Sequence, residues 1–192
     1  MIVGVLLAAG QSTRFGADKL IQPLPNGMPM VCAAARNLEA GADRVIVVIR
    51  PGHSVLRYLL AHEKVDLLEC ADAESGMGCS IACAVRASRN AMGWLIALGD
   101  MPFIQAATIE KVGMLLRANK AIVAPEYNGK RGHPVGFSNS HFQSLSTLHD
   151  DGGARKIISC NVSDLHLFSC GDPGVLQDID TLSDFTLHQS NA

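Results

Sequence analysis

The chain has 192 residues and a formal net charge of -2, and 48% of its residues are hydrophobic while 18% are charged. This length suits one domain spanning residues 1–192, with enough apolar residues to bury a substantial core. The low charge and the absence of any Lys/Arg run argue against a general nucleic-acid binder and against a protein held on an anionic membrane, and favour a small-molecule ligand.

The apolar run at residues 2–9 is short and follows no basic segment, so it indicates a buried strand and neither a signal peptide nor a membrane span. The six cysteines are scattered and include no CxxC pair, which gives a zinc site little support. We therefore expect reduced, mostly buried thiols in a cytoplasmic protein. Cys79 is the exception to examine, because a helix N-terminus beside it could lower its pKa and make the thiol reactive.

Apolar, β-rich runs alternate with helical patterns along most of the chain, which is typical of βαβ units and a mostly parallel sheet. Strands are predicted at residues 3–8, 44–49, 65–70, 93–98 and 121–124. Crossover helices are predicted between them, at residues 30–40, 54–62, 80–91 and 108–118.

The pattern changes after Pro125. Residues 126–132 form a polar connection with glycine, and a short strand of different character at 134–137 predicts a mixed sheet edge. Short helices are then predicted at residues 140–148 and 154–159, a strand at 165–169 and a closing helix at 181–188. No repeat or low-complexity tract marks a second domain.

A Gly-rich, basic loop follows the first predicted strand. Its sequence is Leu7-Ala8-Ala9-Gly10-Gln11-Ser12-Thr13-Arg14-Phe15-Gly16-Ala17-Asp18-Lys19. Free backbone N–H groups after a buried strand can hold a polyphosphate, and Arg14 and Lys19 add positive charge. The loop matches neither GxxxxGK(S/T) nor GxGxxG, so it is neither a Walker A loop nor a dinucleotide fingerprint. A simple turn with surface cations is the alternative, but a turn does not need so many glycines and cations.

Carboxylates suited to a metal ion occur at two places. Asp100 follows the fourth predicted strand, at the edge where open α/β sheets bind ligands. Magnesium normally takes one or two carboxylates besides phosphate oxygens and water, so Asp100 needs about one partner. Asp178 and Asp180 are candidates, because alternation in an extended segment puts both on one face. Capping of a turn or helix is the alternative for each of these residues.

Together these segments resemble the nucleotidyltransferase family that includes the molybdenum cofactor guanylyl- and cytidylyltransferases and the sugar-phosphate nucleotidyltransferases. The segments that match are the first loop, Gly76-Met77-Gly78-Cys79-Ser80-Ile81, Gly99-Asp100-Met101-Pro102, Gly132-His133-Pro134, Gly153-Ala154-Arg155 and Asp178-Ile179-Asp180-Thr181. They follow the expected order over nearly the whole chain and are most similar to the cytidylyltransferase branch. The chain departs from that branch after Thr181, where Leu182-Ser183-Asp184 replaces Pro-Glu-Asp.

The resemblance implies a three-layer α/β/α, Rossmann-like and GT-A-like nucleotidyltransferase fold with a mostly parallel, mixed-edge sheet. The implied reaction transfers CMP from CTP to the terminal phosphate of a molybdopterin-type cofactor and releases pyrophosphate. Mg²⁺ is the implied metal ion. A molybdoenzyme or its chaperone is the implied recipient of the product.

The resemblance also implies roles for individual residues. Arg14 and Lys19 would neutralise the triphosphate, while Asp100, with Asp178 or Asp180, would hold magnesium. Nucleotide contacts are implied for Leu7, Ala8, Ala9, Gly10, Ser12, Gly78 and Ser80. Acceptor contacts are implied for His133 and Arg155, since an Arg fork can bind two phosphate oxygens. An Ala-Ala-Gly loop is linked in the family to cytidine, and the Ala9 methyl would narrow the pocket for a purine.

Two other functions stay open on the sequence. One is the same fold with another base or acceptor, such as guanylyl transfer to the same cofactor or nucleotide transfer to a sugar phosphate. The other is a non-catalytic module that binds and delivers the cofactor. The combination of Arg14, Lys19, Asp100 and the terminal Asp pair argues against a mere binding module, which does not need all of them.

Overall fold

The computed structural model describes residues 1–10 and 18–180. Within these residues the chain forms an eight-stranded sheet and six α-helices. The strands are β1 (Ile2–Leu7), β2 (Arg44–Ile49), β3 (Asp66–Glu69), β4 (Gly93–Leu98), β5 (Ile122–Tyr127), β6 (Lys130–Arg131), β7 (Val135–Ser138) and β8 (Leu165–Ser169). The helices are α1 (Met30–Leu38), α2 (Ser54–Leu60), α3 (Met77–Ala87), α4 (Ala106–Arg117), α5 (Phe142–Ser146) and α6 (Arg155–Cys160). No helix in the described part of the chain has the length and apolar character needed to cross a membrane.

The sheet has the order β3-β2-β1-β4-β7-β5-β6, with β8 also paired to β5. Strands β3, β2, β1 and β4 are parallel, whereas β7 runs antiparallel to both β4 and β5. Pairing of β8 with β5 is again parallel. The mostly parallel sheet with a mixed edge is therefore confirmed, and it directs the carboxyl ends of β1 and β4 to one side.

The two faces of the sheet bury separate cores. Along β1, Ile2 and Leu6 pack on the face covered by α1, α2 and α4, whereas Val3 and Val5 pack on the face covered by α3, α5 and α6. This alternation arises because successive side chains of a strand point to opposite faces. The three-layer α/β/α arrangement that the sequence predicts is confirmed.

The third helix differs from its predicted bounds of 80–91. Helix α3 begins at Met77, directly after Gly76, whose φ of 130° is open mainly to glycine. The N–H of Gly78 donates to the carbonyl oxygen of Asp150 at 2.8 Å, so a distant segment satisfies one of the free amides of the first turn. That contact lets the helix start three residues earlier than the local pattern indicates.

Residues 126–132 were expected to be only a connection, and this expectation is wrong. Strand β5 continues to Tyr127 and pairs with β6 through a tight turn at Asn128 and Gly129, which have φ values of 51° and 73°. Asn-Gly favours such hairpin turns because both positions need a positive φ. Residues 140–148 divide into a short 3-10 turn, Asn139–His141, and α5. The predicted helix at 181–188 lies outside the described residues.

Candidate active site

Lys19 lies between two carboxylates at the carboxyl edge of the sheet. Its Nζ is 2.8 Å from Asp100 Oδ2 and 2.7 Å from Asp180 Oδ1. Burial of Lys19 opposes its charge, but hydrogen bonds and charge from Asp100 and Asp180 outweigh that effect, so the pKa of Lys19 is raised. Three residues predicted from separate motifs therefore meet in one cluster, in which Lys19 is a stable cation.

The backbone around Lys19 is fixed by its neighbours. Lys19 begins a 3-10 turn, Lys19–Ile21, whose preceding residue Asp18 accepts a hydrogen bond from the N–H of Leu20 at 3.2 Å. His53 Nε2 lies 2.7 Å from the other carboxylate oxygen of Asp18, and His53 Nδ1 accepts from the N–H of Leu56. Because Nδ1 is an acceptor, Nε2 carries the proton and donates it to Asp18. The turn after β2 thus anchors the end of the Gly-rich loop.

The two carboxylates suit a hard divalent cation. Asp100 Oδ1 is buried and accepts no hydrogen bond from any described residue. An unsatisfied buried carboxylate oxygen is costly, so this atom is chemically available for a ligand. Asp180 offers a second carboxylate at the same point, and oxygen donors are those that Mg²⁺ prefers. The structure joins Asp180 to Asp100 through Lys19, whereas Asp178 is exposed.

A cavity of about 350 Å³ opens beside this cluster. It is lined by Leu7, Ala9, Gly10, Ala73, Glu74, Gly76, Met77, Ser80, Leu98, Asp100 and Asp151. Four of the predicted nucleotide contacts, Leu7, Ala9, Gly10 and Ser80, therefore share one cavity. Ser12 and Arg14 lie outside the described residues.

Two predicted nucleotide contacts lie elsewhere. Ala8 is 1% exposed in the core, and its N–H donates to Val48 O at 2.9 Å. Gly78 does not line the cavity, and its N–H is already bonded to Asp150 O. A Cβ at Gly78 would lie 2.7 Å from that oxygen, so this glycine is needed for close packing. Its role as a nucleotide contact stays a prediction.

A second cavity of about 290 Å³ adjoins the first and shares Met77, Leu98 and Asp151 with it. The two predicted acceptor contacts, His133 and Arg155, both line it. Its remaining lining consists of Arg131, Gly152 and the apolar side chains of Ile81, Ile96, Val135, Phe137, Ala154 and Ile158. The cavity therefore joins an apolar surface to two guanidinium groups.

His133 is a neutral member of this second cavity. Burial, together with the positive charge of Arg131, lowers its pKa to about 4, although Asp100 acts in the opposite direction. Its Nδ1 is buried and has no hydrogen-bond partner among the described residues. At neutral pH His133 can therefore hydrogen-bond to a ligand but adds no positive charge.

Three charged lining residues, Glu74, Arg131 and Asp151, were not predicted as site residues. Arg131 ends β6, and His133 lies in a bend two positions later. Its position beside the predicted contact His133 is the sequence signal for Arg131. Asp151 has no comparable signal, because it depends on how the segment after α5 packs against α3.

The cysteines are all free, but only Cys32 and Cys70 are buried and Cys160 is exposed. The start of α3 does not lower the pKa of Cys79. Desolvation and the neighbouring Cys70 and Asp72 raise the pKa of Cys79 above its ordinary value. Its position within the first turn of α3 does not offset these effects.

Comparison with known proteins identifies the family of the chain. Residues 4–166 match the MobA-like NTP transferase domain. Purine catabolism protein PucB of Bacillus subtilis (strain 168) is 30% identical over 97% of this chain and 95% of its own length. Nicotine blue oxidoreductase of Paenarthrobacter nicotinovorans is 26% identical over 94% of this chain and 93% of its own.

Solved structures give the same fold. The crystal structure of Rv0371c from Mycobacterium tuberculosis H37Rv has a TM-score of 0.83 and 26% identity, and covers 98% of this chain and 97% of its own. The manganese complex of Rv0371c has a TM-score of 0.80 and 24% identity, with coverage of 100% and 99%. From the extent of the domain match and the full-length likeness to PucB, the chain belongs to the MobA-like NTP transferase family and is a nucleotidyltransferase.

Proposed function

We propose that the protein is a magnesium-dependent cytidylyltransferase that transfers CMP from CTP to the terminal phosphate of a molybdopterin-type cofactor. The observation that carries this proposal is the pair of adjoining cavities beside the Lys19, Asp100 and Asp180 cluster. One cavity begins at the Gly-rich loop, and the other combines cations with an apolar surface. A nucleotide and a phosphorylated heterocycle would meet where the cavities share their walls.

In the proposed reaction a phosphate oxygen of the acceptor attacks the α-phosphorus of CTP. A new P–O bond forms, the bond from the α-phosphorus to the bridging oxygen breaks, and pyrophosphate leaves in line. Positioning and cationic groups can supply most of the catalysis of such a transfer, so no covalent enzyme intermediate is required. Lys19 is charged and lies at the end of the Gly-rich loop, which suits it to stabilise the triphosphate, with Arg14 as the proposed second cation.

Asp100 and Asp180 are the residues that would hold magnesium, and the ion would neutralise charge on the phosphate oxygens when bound. The unsatisfied Oδ1 of Asp100 supports this assignment. The manganese complex of Rv0371c supports a divalent cation in a related protein. Asp178 stays a candidate from the sequence alone.

The choice of CTP is supported by the Ala-Ala-Gly sequence of the loop and by Ala9, which lines the nucleotide cavity. The choice of acceptor is supported by the second cavity. Arg131 and Arg155 can bind a terminal phosphate. The apolar lining can pack against a fused ring system, and neutral His133 can hydrogen-bond to the polar edge of that ring system.

We further propose that a molybdoenzyme or its chaperone receives the product. We also propose a cytoplasmic location, which the six free cysteines support.

The proposal is tested by incubating the protein with each of the four NTPs, magnesium and molybdenum cofactor, and then measuring pyrophosphate release and product mass. We expect a CMP-containing dinucleotide form of the cofactor from CTP. A product formed from GTP would contradict the choice of base, and transfer only to a sugar phosphate would contradict the acceptor. CTP binding without turnover on any acceptor would favour a delivery module.

A further inference from the structure

Residues 172–180 connect the end of β8 to the active-site cluster, and backbone hydrogen bonds tie this segment to the site at two points. The N–H of His133 donates to Val175 O at 2.9 Å, and the N–H of Ile179 donates to Asp100 O at 3.0 Å. The side chains of Val175 and Ile179 are fully buried. Asp180, which contacts Lys19, therefore ends a segment that is held by hydrogen bonds to His133 and to Asp100.

Asp172 begins this segment and is 2% exposed. Its Oδ2 accepts hydrogen bonds from the N–H of Gln105 at 2.9 Å and from the hydroxyl of Thr108 at 2.7 Å. Its Oδ1 accepts from the N–H of Gly174 at 3.0 Å. A buried carboxylate is stable only when such donors replace water, and here three do so.

The donors belong to the start of α4 and to the segment itself. Gln105 precedes α4 without capping the helix through its own side chain, so the carboxylate of Asp172 supplies the cap from a distant part of the chain. Gly174 packs closely against the residues before α4, since a Cβ on Gly174 would lie 2.3 Å from the carbonyl oxygen of Phe103. Asp172 thus fastens the segment that carries Asp180 to the stretch that follows Asp100.

From this geometry we propose that Asp172 is a positioning residue that sets the relative placement of the Asp100 and Asp180 carboxylates, and so the affinity of the site for a divalent cation. The inference rests on the proposed function, in which these two carboxylates hold the metal. Asp172 acts through the segment and through α4, and it lines neither of the two cavities.

The test compares Asp172→Asn with Asp43→Asn, a control at an exposed aspartate with a similar set of hydrogen bonds. Asp43 also accepts a backbone N–H, from Ile2 at 2.6 Å, and a side-chain donor, from Arg117 at 2.7 Å, but it ties β1 to the far end of α4. Mn²⁺ affinity is measured by electron paramagnetic resonance on the full chain, with and without CTP, and thermal unfolding is recorded in parallel. We expect Asp172→Asn to weaken Mn²⁺ binding roughly tenfold, the lower end of the effect of losing a group that orients a metal ligand. We expect Asp43→Asn to lower only the unfolding temperature.

Thr108→Val removes one of the three donors, and it provides a milder second variant should Asp172→Asn fail to fold. Its Mn²⁺ affinity is expected to fall in the same direction by a smaller factor. Mn²⁺ affinity equal to that of the wild type in the folded variants would overturn the inference, as would a wild-type protein that binds no Mn²⁺. A wild-type protein that binds Mn²⁺ yet transfers no nucleotide would contradict the proposed function, while the comparison of variants would still decide the role of Asp172.

Discussion

The ammonium group of Lys19 lies 2.7 Å from the carboxylate of Asp180, although 161 positions separate the two residues. Lys19 ends the loop that follows β1, and Asp180 ends the segment that follows β8. Their contact requires the sheet and the 172–180 segment to be in place together. The candidate site is therefore assembled by the complete fold, and not by one local motif.

Lys19→Ala is expected to lower kcat by a factor of about 100 to 1000, because it removes a cation that stabilises charge developing on the phosphates. Asp100→Ala is expected to cause a loss of similar size. Pyrophosphate release at saturating CTP and acceptor measures both effects, and circular dichroism checks that the variants are folded. Lys111→Ala, on the exposed side of α4, is the control and is expected to retain full activity. Turnover near that of the wild type in either site variant would contradict the mechanism.

The parallel half of the sheet could be predicted because its strands are nearly continuous apolar runs separated by amphipathic helices. Lys19 and Asp100 could be predicted because loops after parallel strands gather at one edge of a sheet. The choice between Asp178 and Asp180 could not, since it depends on Ile179 being buried against the backbone of Asp100. Contacts between segments that are distant in sequence leave no periodic pattern.

Gly78 illustrates the same limit. Its sequence context predicts close approach to a nucleotide, yet the structure uses the missing Cβ to admit the carbonyl of Asp150. Close approach to a nucleotide and close packing against Asp150 both require glycine, so the residue type does not distinguish between them. The hydrogen bonds of Asp172 were also invisible in the sequence, because two of their three donors, Gln105 and Thr108, lie at the start of α4, far from Asp172 along the chain.

Ala9→Gly is expected to shift the preference between nucleotides toward GTP, since removing the methyl group enlarges the nucleotide cavity beside β1. The ratio of kcat/KM for GTP to that for CTP is expected to rise about tenfold, the usual size of an effect from one apolar group. Ala8→Gly is the matched control, because Ala8 is buried in the core and lines neither cavity. It is expected to lose stability without changing the ratio. An unchanged ratio in Ala9→Gly would remove Ala9 as the basis for base selection.

Arg131→Ala and Arg155→Ala are each expected to raise KM for the acceptor roughly tenfold or more, because each loses charged hydrogen bonds to the terminal phosphate. KM for CTP should stay close to that of the wild type, since neither guanidinium lines the nucleotide cavity. Initial rates over a matrix of both substrate concentrations separate the two constants. Arg89→Ala, an exposed residue just beyond α3, is the control. Equal increases in both KM values would instead indicate a general disturbance of the site.

His133 is expected to make the protein less stable in acid. Its pKa in the folded state is about 4, below its ordinary value of 6.5, so the unfolded chain binds this proton more tightly than the folded protein does. The stability that neutral His133 contributes to the folded protein is fully present above pH 6.5 and is lost as the pH falls toward about 4.

In His133→Gln, the free energy of unfolding should fall less steeply between pH 6.5 and about 4 than in the wild type. Urea unfolding at a series of pH values measures the difference. His141, whose pKa is also lowered by burial, titrates in both proteins and cancels from the comparison. The control is His62→Gln, which alters an exposed histidine and should show the same dependence of the free energy of unfolding on pH as the wild type. If the wild type and His133→Gln gave parallel curves, His133 would not be buried as a neutral group.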